Sequence, residues 1–489
     1  MRALLGVDLG TSSVKVAVTD EKGTLKTLAG HEYPILTPQL GYAEQHPDTW
    51  WEATCIAVSA ALAQAPNAEI AGIGLSGQMH GMVLLDAQGE SIGDAIIWAD
   101  QRSAPQSDTL LAEIGIGGFR TAGTRPATGF MAASLRWLRD HEPARLDRVR
   151  HVLLPKDYIR FRLTGEIASE PSDASSTALF DISARDWSDT LIKAVGGRRD
   201  IFPPIFESAQ TAGQLTQNAA GSLHLQQGIP VAAGAADTAA ALLGLGLIQP
   251  GIGTIAINTG GTVVMPLAVP RTDPDLRVHT FCHVPQDRWY IQGAMLSAGL
   301  SLRWLRDLYG LTHRPDAYDY LTHLATSVPP GSDGLIFLPY LIGERSPLMA
   351  PQARSAFVGL TLSHGLGHMV RAVLEGVAFA IRQIVETIGV LDTPTTEFYG
   401  AGAGLLSSLL WRQILVDVLN FPLRLPVSQE RASVGAALLG GLAAGVYHNY
   451  AEAIHQPNYQ PVNPIQAVVY EEHYRRFLDV YPRLASFYT

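Results

Sequence analysis

Three observations predict an α/β protein built as two similar domains with a cleft between them. The first is the stretch Gly6-Val7-Asp8-Leu9-Gly10-Thr11-Ser12-Ser13. An apolar run from Ala3 to Val7 delivers one carboxylate and then a turn of Gly, Thr and Ser. The second is the reappearance of this design far downstream. Gly253 to Asn258 leads through Thr259, Gly260 and Gly261 into Thr262-Val263-Val264-Met265, again strand, Gly/Thr turn, strand. The third is length, because 489 residues exceed what one ordinary core holds. A turn of this kind offers N–H and hydroxyl donors to phosphate oxygens, and Asp8 can hold a divalent cation directly or through water. One such hairpin is equally well an ordinary turn. Two, one per half, point to a nucleotide held between them.

The elements follow in order. Val14, Val16 and Val18 alternate against Lys15 and Ala17, closing the first hairpin before Gly23. An extended segment comes next, and Pro47-Asp48-Thr49-Trp50-Trp51-Glu52 then opens a helix to about Ala65, with Asp48 as its N-cap. Ile70 to Leu75 is a buried strand entering Ser76-Gly77-Gln78-Met79-His80-Gly81. Its glycines allow a ligand to approach closely, against the ordinary fates of Met79 as core filler and His80 as a structural histidine. The strand at Ile96 ends in Trp98-Ala99-Asp100-Gln101-Arg102. Asp100 and Arg102 either form an ion pair, the commoner outcome, or frame a polyhydroxylated ligand. Ser134 to Asp140 and Pro155 to Leu163 read as helices.

Pro230 to Ala233 is a small-residue strand that delivers Asp237 ahead of a helix from Ala239 to Leu247. Asp237 is placed either to cap that helix or to act as base toward a hydroxyl at the mouth of a cleft. The domain boundary is set near Leu245, ahead of Pro250, giving domains 1–245 and 246–489. In the second half Trp289 to Gly293 and Gly331 to Leu341 read as strands, and Leu296 to Leu308 as a helix. From Met369 a long helix carries the stripe Val373, Val377, Ala380 and Ile384. Glu397 to Gly400 is a strand entering Ala401-Gly402-Ala403-Gly404, and the next helix is striped by Trp411, Leu415 and Val418. Ser433 to Gly445 is a small-residue helix able to pack very closely on its neighbour. The turn at Gly400 is not a dinucleotide fingerprint, since Leu405 stands where GxGxxG needs its third glycine.

Composition narrows the function. A net charge of -10 excludes nonspecific binding to DNA or a membrane surface, which needs a basic face. No GxxxxGK[ST] occurs, and no lysine follows Lys193, so phosphates in the second half meet backbone amides, hydroxyls, arginine or metal. Cys55 and Cys282 lie far apart and read as free thiols of a reducing compartment, the cytoplasm. The uncharged stretch 238–270 carries Pro250, Asn258 and six glycines from Gly244 to Gly261, which break any single spanning helix.

DLGTSS at Asp8, GQMHG at Gly77, WADQRS at Trp98, LPKDY at Leu154, HTFCHVP at His279, SLRWLRD at Ser301, FLPYLIGERSP at Phe337 and RAVLEGVAFAI at Arg371, with the segment around Asp237, resemble the FGGY carbohydrate kinases. The set is most similar to the members that act on D-xylulose. The resemblance implies two ribonuclease-H-like domains of the actin, hexokinase and Hsp70 type, closing on ATP, Mg2+ and a sugar, with a homodimer expected. It implies phosphorylation of D-xylulose to D-xylulose 5-phosphate. Asp237 is then the catalytic base and Asp8 the essential carboxylate at metal and phosphate. Met79 and His80 contact the ketopentose, with Gln78, Trp98, Asp100 and Arg102 as further sugar-site candidates. Thr11 and Ser12 form the first phosphate turn, Thr259, Gly260 and Gly261 the second, and Gly299 and Gly402 lie at the nucleotide. The adenosine loop departs from the family pattern at Gly400 to Ser408, where Ser407 is the candidate side chain. Sibling activities on ribulose, 1-deoxyxylulose, gluconate or glycerol remain open, as does an actin-like or Hsp70-like nucleotide switch.

Overall fold

A computed structural model describes residues 1–391, 393, 395–426, 430–454 and 459–488. In the first half β1 (Arg2–Leu9), β2 (Ser13–Asp20) and β3 (Leu25–Glu32) form an antiparallel meander. After helix α1 (Pro47–Ala63), β4 (Glu69–Gly77) returns parallel to β1. Helix α2 (Pro155–Thr164) precedes β5 (Thr211–Gln214), β6 (Pro230–Ala232) and β7 (Ala235–Ala236), and helix α3 (Asp237–Gly244) ends this half. Strands β6 and β7 both run parallel to β4, and β5 runs antiparallel to β6.

The second half repeats the plan with β8 (Gly251–Ile257), β9 (Gly261–Leu267), β10 (His279–Cys282) and β11 (Trp289–Met295). Helices α4 (Gly299–Leu308) and α5 (Leu366–Gly389) lead to β12 (Thr395–Ala401), α6 (Ala403–Ser407) and α7 (Leu409–Leu419). Then come β13 (Leu423–Pro426), α8 (Ala432–Ala443) and β14 (Tyr459–Val462). The sheet orders are β3-β2-β1-β4-β6-β5 and β11-β9-β8-β12-β13-β14, with β10 added outside β11. Both orders run antiparallel, antiparallel, parallel, parallel, antiparallel. The two halves therefore share one topology, as the paired hairpins predict.

A boundary at 245 separates the two sheets but not every element. Helix α8, from the second half, lies on the first sheet, where side chains are absent on both surfaces. A Cβ added to Gly6 would sit 1.8 Å from Ser433 O, and one on Gly74 1.8 Å from Ala436 O. Gly435 meets α3 in the same manner, 1.9 Å from Ala240 O. Backbone-to-backbone approach of this kind excludes any side chain larger than hydrogen.

Four sequence readings change. Helix α1 is capped by His46, whose ring accepts from Asp48 N, so Asp48 lies inside the first turn and is not the cap. The extended segment after the first hairpin is β3, whose alternation is blurred because an edge strand exposes most of its residues. Gly331 to Leu341 contains only a short strand, Ile336–Leu338, because a tight turn at Ser332–Gly334 precedes it. Helix α4 starts at Gly299, not Leu296, whose N–H is held by the Glu344 carboxylate at 3.0 Å. Among the described residues no helix is long and apolar enough to cross a membrane.

Gly74→Ala is expected to cost about 3 kcal/mol or more through overpacking against α8, read as a lower denaturant midpoint. Gly221→Ala, on a helix with nothing within 4 Å of the added carbon, is the control and should gain about 0.5–1 kcal/mol. Equal, small effects at both positions would refute the close-packing account.

Candidate active site

Parallel register brings three groups level at one end of the first sheet. Asp8 stands opposite Ser76 and Leu9 opposite Gly77, while Ala235 and Ala236 of β7 stand opposite the same two residues of β4. Asp237 follows at once, as the first residue of α3. The N-cap position is Ala236, so Asp237 does not cap that helix. Its Oδ1 accepts from Thr238 N and, at 3.1 Å, from Thr238 Oγ1, and Oδ2 accepts no hydrogen bond from the described residues. Burial raises its pKa above the ordinary carboxylate value.

Ser76 Oγ donates to Asp8 Oδ1 at 2.6 Å. Burial, then the nearby Asp237 and Glu430 carboxylates, push Asp8 up to about 7. Glu430 reaches this point from the residues ahead of α8. It accepts from Lys15 Nζ at 3.0 Å and from Ser433 Oγ at 3.0 Å. A buried carboxylate near two others, with Lys15 as the neighbouring cation and that lysine bound to Glu430, fits a divalent cation. Among the described residues no three ligating side chains surround a common point, so phosphate and water would supply the remaining ligands.

The turn after β1 is closed by Gly10 N to Ser13 O at 3.0 Å. Thr11 Oγ1 accepts from Trp98 Nε1 at 2.8 Å, so Trp98 braces the turn, while Ser12 is exposed. The turn after β8 is braced by the start of α4. Ala298 N and Leu300 N donate to Thr259 O, Gly299 N donates to Asn258 O, and Gly260 O accepts from Asn258 N. Gly261 opens β9 behind this turn. Gly299 and Gly402 each have a packing reason for being glycine. A Cβ on Gly299 would lie 2.4 Å from Asn258 O, and one on Gly402, at φ +85°, would lie 2.4 Å from Ile257 O. Beside them opens a cleft of about 340 Å³, at the small end of the usual range for small-molecule pockets, lined by Thr259, Gly299, Tyr318, Ala403, Ser407 and Trp411 among others.

Met79 and His80 follow β4 toward the second half. His80 sits at φ +72°, and its ring stacks on Phe130 at a centroid distance of 3.8 Å. Its Nδ1 lies 2.8 Å from the Ser176 carbonyl oxygen, which only accepts, so Nδ1 carries the hydrogen. Burial pushes His80 down to about 4, leaving Nε2 a neutral acceptor suited to a sugar hydroxyl. Gln78 Nε2 donates to Gln45 Oε1 at 3.0 Å, and its buried Oε1 has no partner.

Asp100 and Arg102 are drawn into each other. Asp100 accepts from Ala43 N and from Arg102 N, Nε and an η nitrogen, and that guanidinium also binds Glu44 at 2.6 Å and lies 3.6 Å over the Tyr42 ring. This is the ion-pair outcome of the two weighed from sequence.

The geometry adds Ser76, Phe130, Ser176, His279, Arg345 and Glu430, which no local sequence signal marks as site residues. His279 and Arg345 sit within motifs that carry the family resemblance. Their meeting with His80 depends on contact between the halves.

The N-terminal domain model of the FGGY family of carbohydrate kinases matches residues 3–244, and the C-terminal domain model matches residues 254–444. A xylulose kinase of Escherichia coli (strain K12) is 35% identical over 456 residues, covering 92% of each chain. A gluconokinase of Bacillus subtilis (strain 168) is 30% identical over 456 residues, covering 90% of this chain and 88% of that one. The crystal structure of xylulose kinase from Rhodospirillum rubrum superposes with a TM-score of 0.93 at 29% identity, covering all of both chains.

Burial holds His80, His279 and His283 neutral, at about 4, 3 and 4. Between the ordinary value of about 6.5 and these folded values the unfolded chain binds protons that the fold refuses, so stability falls as pH falls through that window. The expected result is a lower Tm at about pH 5 than at pH 7.5, with a shallower slope in His279→Asn. Parallel slopes in wild type and variant would remove His279 from the effect.

Proposed function

Because the chain belongs to the FGGY family of carbohydrate kinases, we propose that it transfers the terminal phosphoryl group of ATP to D-xylulose, giving D-xylulose 5-phosphate in pentose catabolism. The observation that carries this reading is the alignment of Asp8, Ser76 and Asp237 at one sheet end, beside Met79 and His80. Relatives named xylulose kinase supply the sugar.

In this mechanism Asp237 Oδ2 takes the proton of the sugar's terminal hydroxyl. That oxygen attacks the γ-phosphorus in line, the bond from phosphorus to the β–γ bridging oxygen breaks, and ADP leaves. Asp8, together with phosphate oxygens and water, would hold a magnesium ion, which when bound would neutralise charge on the phosphate chain. Thr11 and Ser12 of one turn and Thr259, Gly260 and Gly261 of the other orient the phosphate chain, and Gly299 and Gly402 border the nucleoside. Positioning and charge neutralisation supply most of the rate. His80 Nε2, Met79 and Gln78 hold the sugar. Trp98, Asp100 and Arg102 support the wall behind it.

On the same reading residues 1–245 bind the sugar and supply the base, and residues 246–489 bind the nucleotide. The enzyme works in the cytoplasm, where Cys55 and Cys282 stay reduced, and it works as a homodimer. The exposed apolar Ile465, Val468 and Val469 near the C-terminal end favour such a contact. A second reading, an aldonate such as gluconate as acceptor, is favoured by the gluconokinase relative.

ADP release measured across D-xylulose, ribulose, 1-deoxyxylulose, gluconate and glycerol is expected to be strongest with D-xylulose. Silence there with turnover elsewhere would move the substrate. Asp237→Asn should lower kcat by about a hundredfold or more with the fold intact. Near-normal turnover in that variant would take Asp237 out of the mechanism.

A further inference from the structure

The sugar pocket has a wall contributed by the second half. On the antiparallel pair β10–β11, His279 stands opposite Gln292 and Phe281 opposite Tyr290, so these four side chains share one face. That face packs on the first half, with Phe281, Tyr290, Met79 and Ala236 in one buried cluster. Tyr290 lies close enough to Asp237 for that carboxylate to oppose its ionisation. Tyr290 and Phe281 are 5.6 Å apart between ring centroids, and Phe281 and His80 6.3 Å apart. A path therefore runs from the base Asp237 along Tyr290 and Phe281 to His80, on the scale of an open-chain sugar.

At the far end of this path the residues 344–346 take over the edge of β11 where β10 stops. Ser346 N donates to Ala294 O at 3.0 Å, two residues beyond the Gln292–His279 pair. This sets Arg345 beside His279, and its charge acts on both His279 and His80. Glu344 makes no hydrogen bond or ion pair with that guanidinium and acts on it only through its charge: its Oε1 accepts from Leu296 N at 3.0 Å and Arg345 N at 2.7 Å, and its Oε2 is buried without a partner. Among the described residues the Arg345 guanidinium has no hydrogen-bond or ion-pair partner. Two polar atoms on the same wall, Gln292 Oε1 and Tyr290 OH, are buried without partners, whereas Arg345 is half-buried. A cation with no protein partner beside two buried, unsatisfied polar atoms suits a ligand that brings oxygen atoms.

We infer that Arg345 is a specificity residue that donates to the oxygens at the end of the sugar remote from the phosphorylated hydroxyl, with Gln292 beside it. The assignment rests on the reading of Asp237 as base at the terminal hydroxyl. It follows that the ketone and adjoining hydroxyl of an open-chain ketose accept from the guanidinium. The carboxylate of an aldonate, placed at the same end, accepts two parallel N–H bonds. One arginine thus accounts for a pocket that can take either a ketose or a sugar acid.

The test compares wild type, Arg345→Met and Arg345→Lys on D-xylulose and on D-arabitol, a polyol without the ketone, with KM for ATP measured alongside. Loss of a charged donor to a substrate oxygen should raise the KM for D-xylulose about 10- to 100-fold in Arg345→Met. The preference for D-xylulose over D-arabitol should shrink toward unity, KM for ATP should stay within about twofold, and Arg345→Lys should recover part of the preference. Unchanged thermal unfolding excludes a folding defect. A KM for D-xylulose within twofold of wild type, or an equal rise in the KM for ATP, would overturn the assignment. A wild-type enzyme inert on D-xylulose would instead overturn the functional reading, so the two failures are told apart.

Discussion

The structure depends on a contact made possible by missing side chains. Gly6, Gly72 and Gly74 strip one face of β1 and β4 down to backbone, and α8 lies directly on it. The helix belongs to the second half of the chain, so this contact ties the halves together across the sheet that carries Asp8. It also sets Glu430, just ahead of α8, against Lys15 and near Asp8. Any side chain at Gly74 would lift the helix, and Glu430 would move with it.

Behind Asp237 lies a second fixed element, a cluster of buried ionisable groups. Lys156 Nζ, fully buried, is 2.7 Å from Asp157, 3.3 Å from Glu170 and 3.5 Å from Asp173, and Arg160 also binds Asp157 at 2.8 Å. Glu170 accepts from Ser172 Oγ, which in turn accepts from Ala236 N at 2.9 Å, one residue before Asp237. Buried ions are costly unless paired, and here the pairing anchors the strand end that presents Asp237. The LPKDY motif therefore has a structural task, holding β7 in place from behind.

The proposed sugar pocket is shared unequally. Apart from the unpartnered Gln78 Oε1, the first half supplies groups already bound to protein, such as His80 on Ser176 and Trp98 on Thr11, which are oriented before any ligand arrives. The second half supplies unsatisfied ones, Arg345 and Gln292. A substrate bridging the two kinds would draw the halves together around itself, and water would be excluded from the phosphoryl group as a consequence.

By itself the sequence determined the duplicated plan, the two Gly/Thr turns and the placing of the carboxylates Asp8 and Asp237 at strand ends, because a buried strand ending in Asp or in Gly and Thr is a local pattern. It also determined that Ser433 to Gly445 packs closely, because small residues in helical register leave no other use for that face. It left Asp237 between capping and catalysis, and Asp100 with Arg102 between an ion pair and a ligand frame. Tertiary contacts resolved the geometry of both: the helix cap falls on Ala236, and the Asp100 oxygens are spent on Arg102 and Ala43. Edge strand β3 escaped notice because exposure erases alternation. Only the folded chain could bring His279 and Arg345 to His80. Their separation of some two hundred residues leaves no trace in local pattern, and the approach is decided by how β10 and the 344–346 loop pack against the first half.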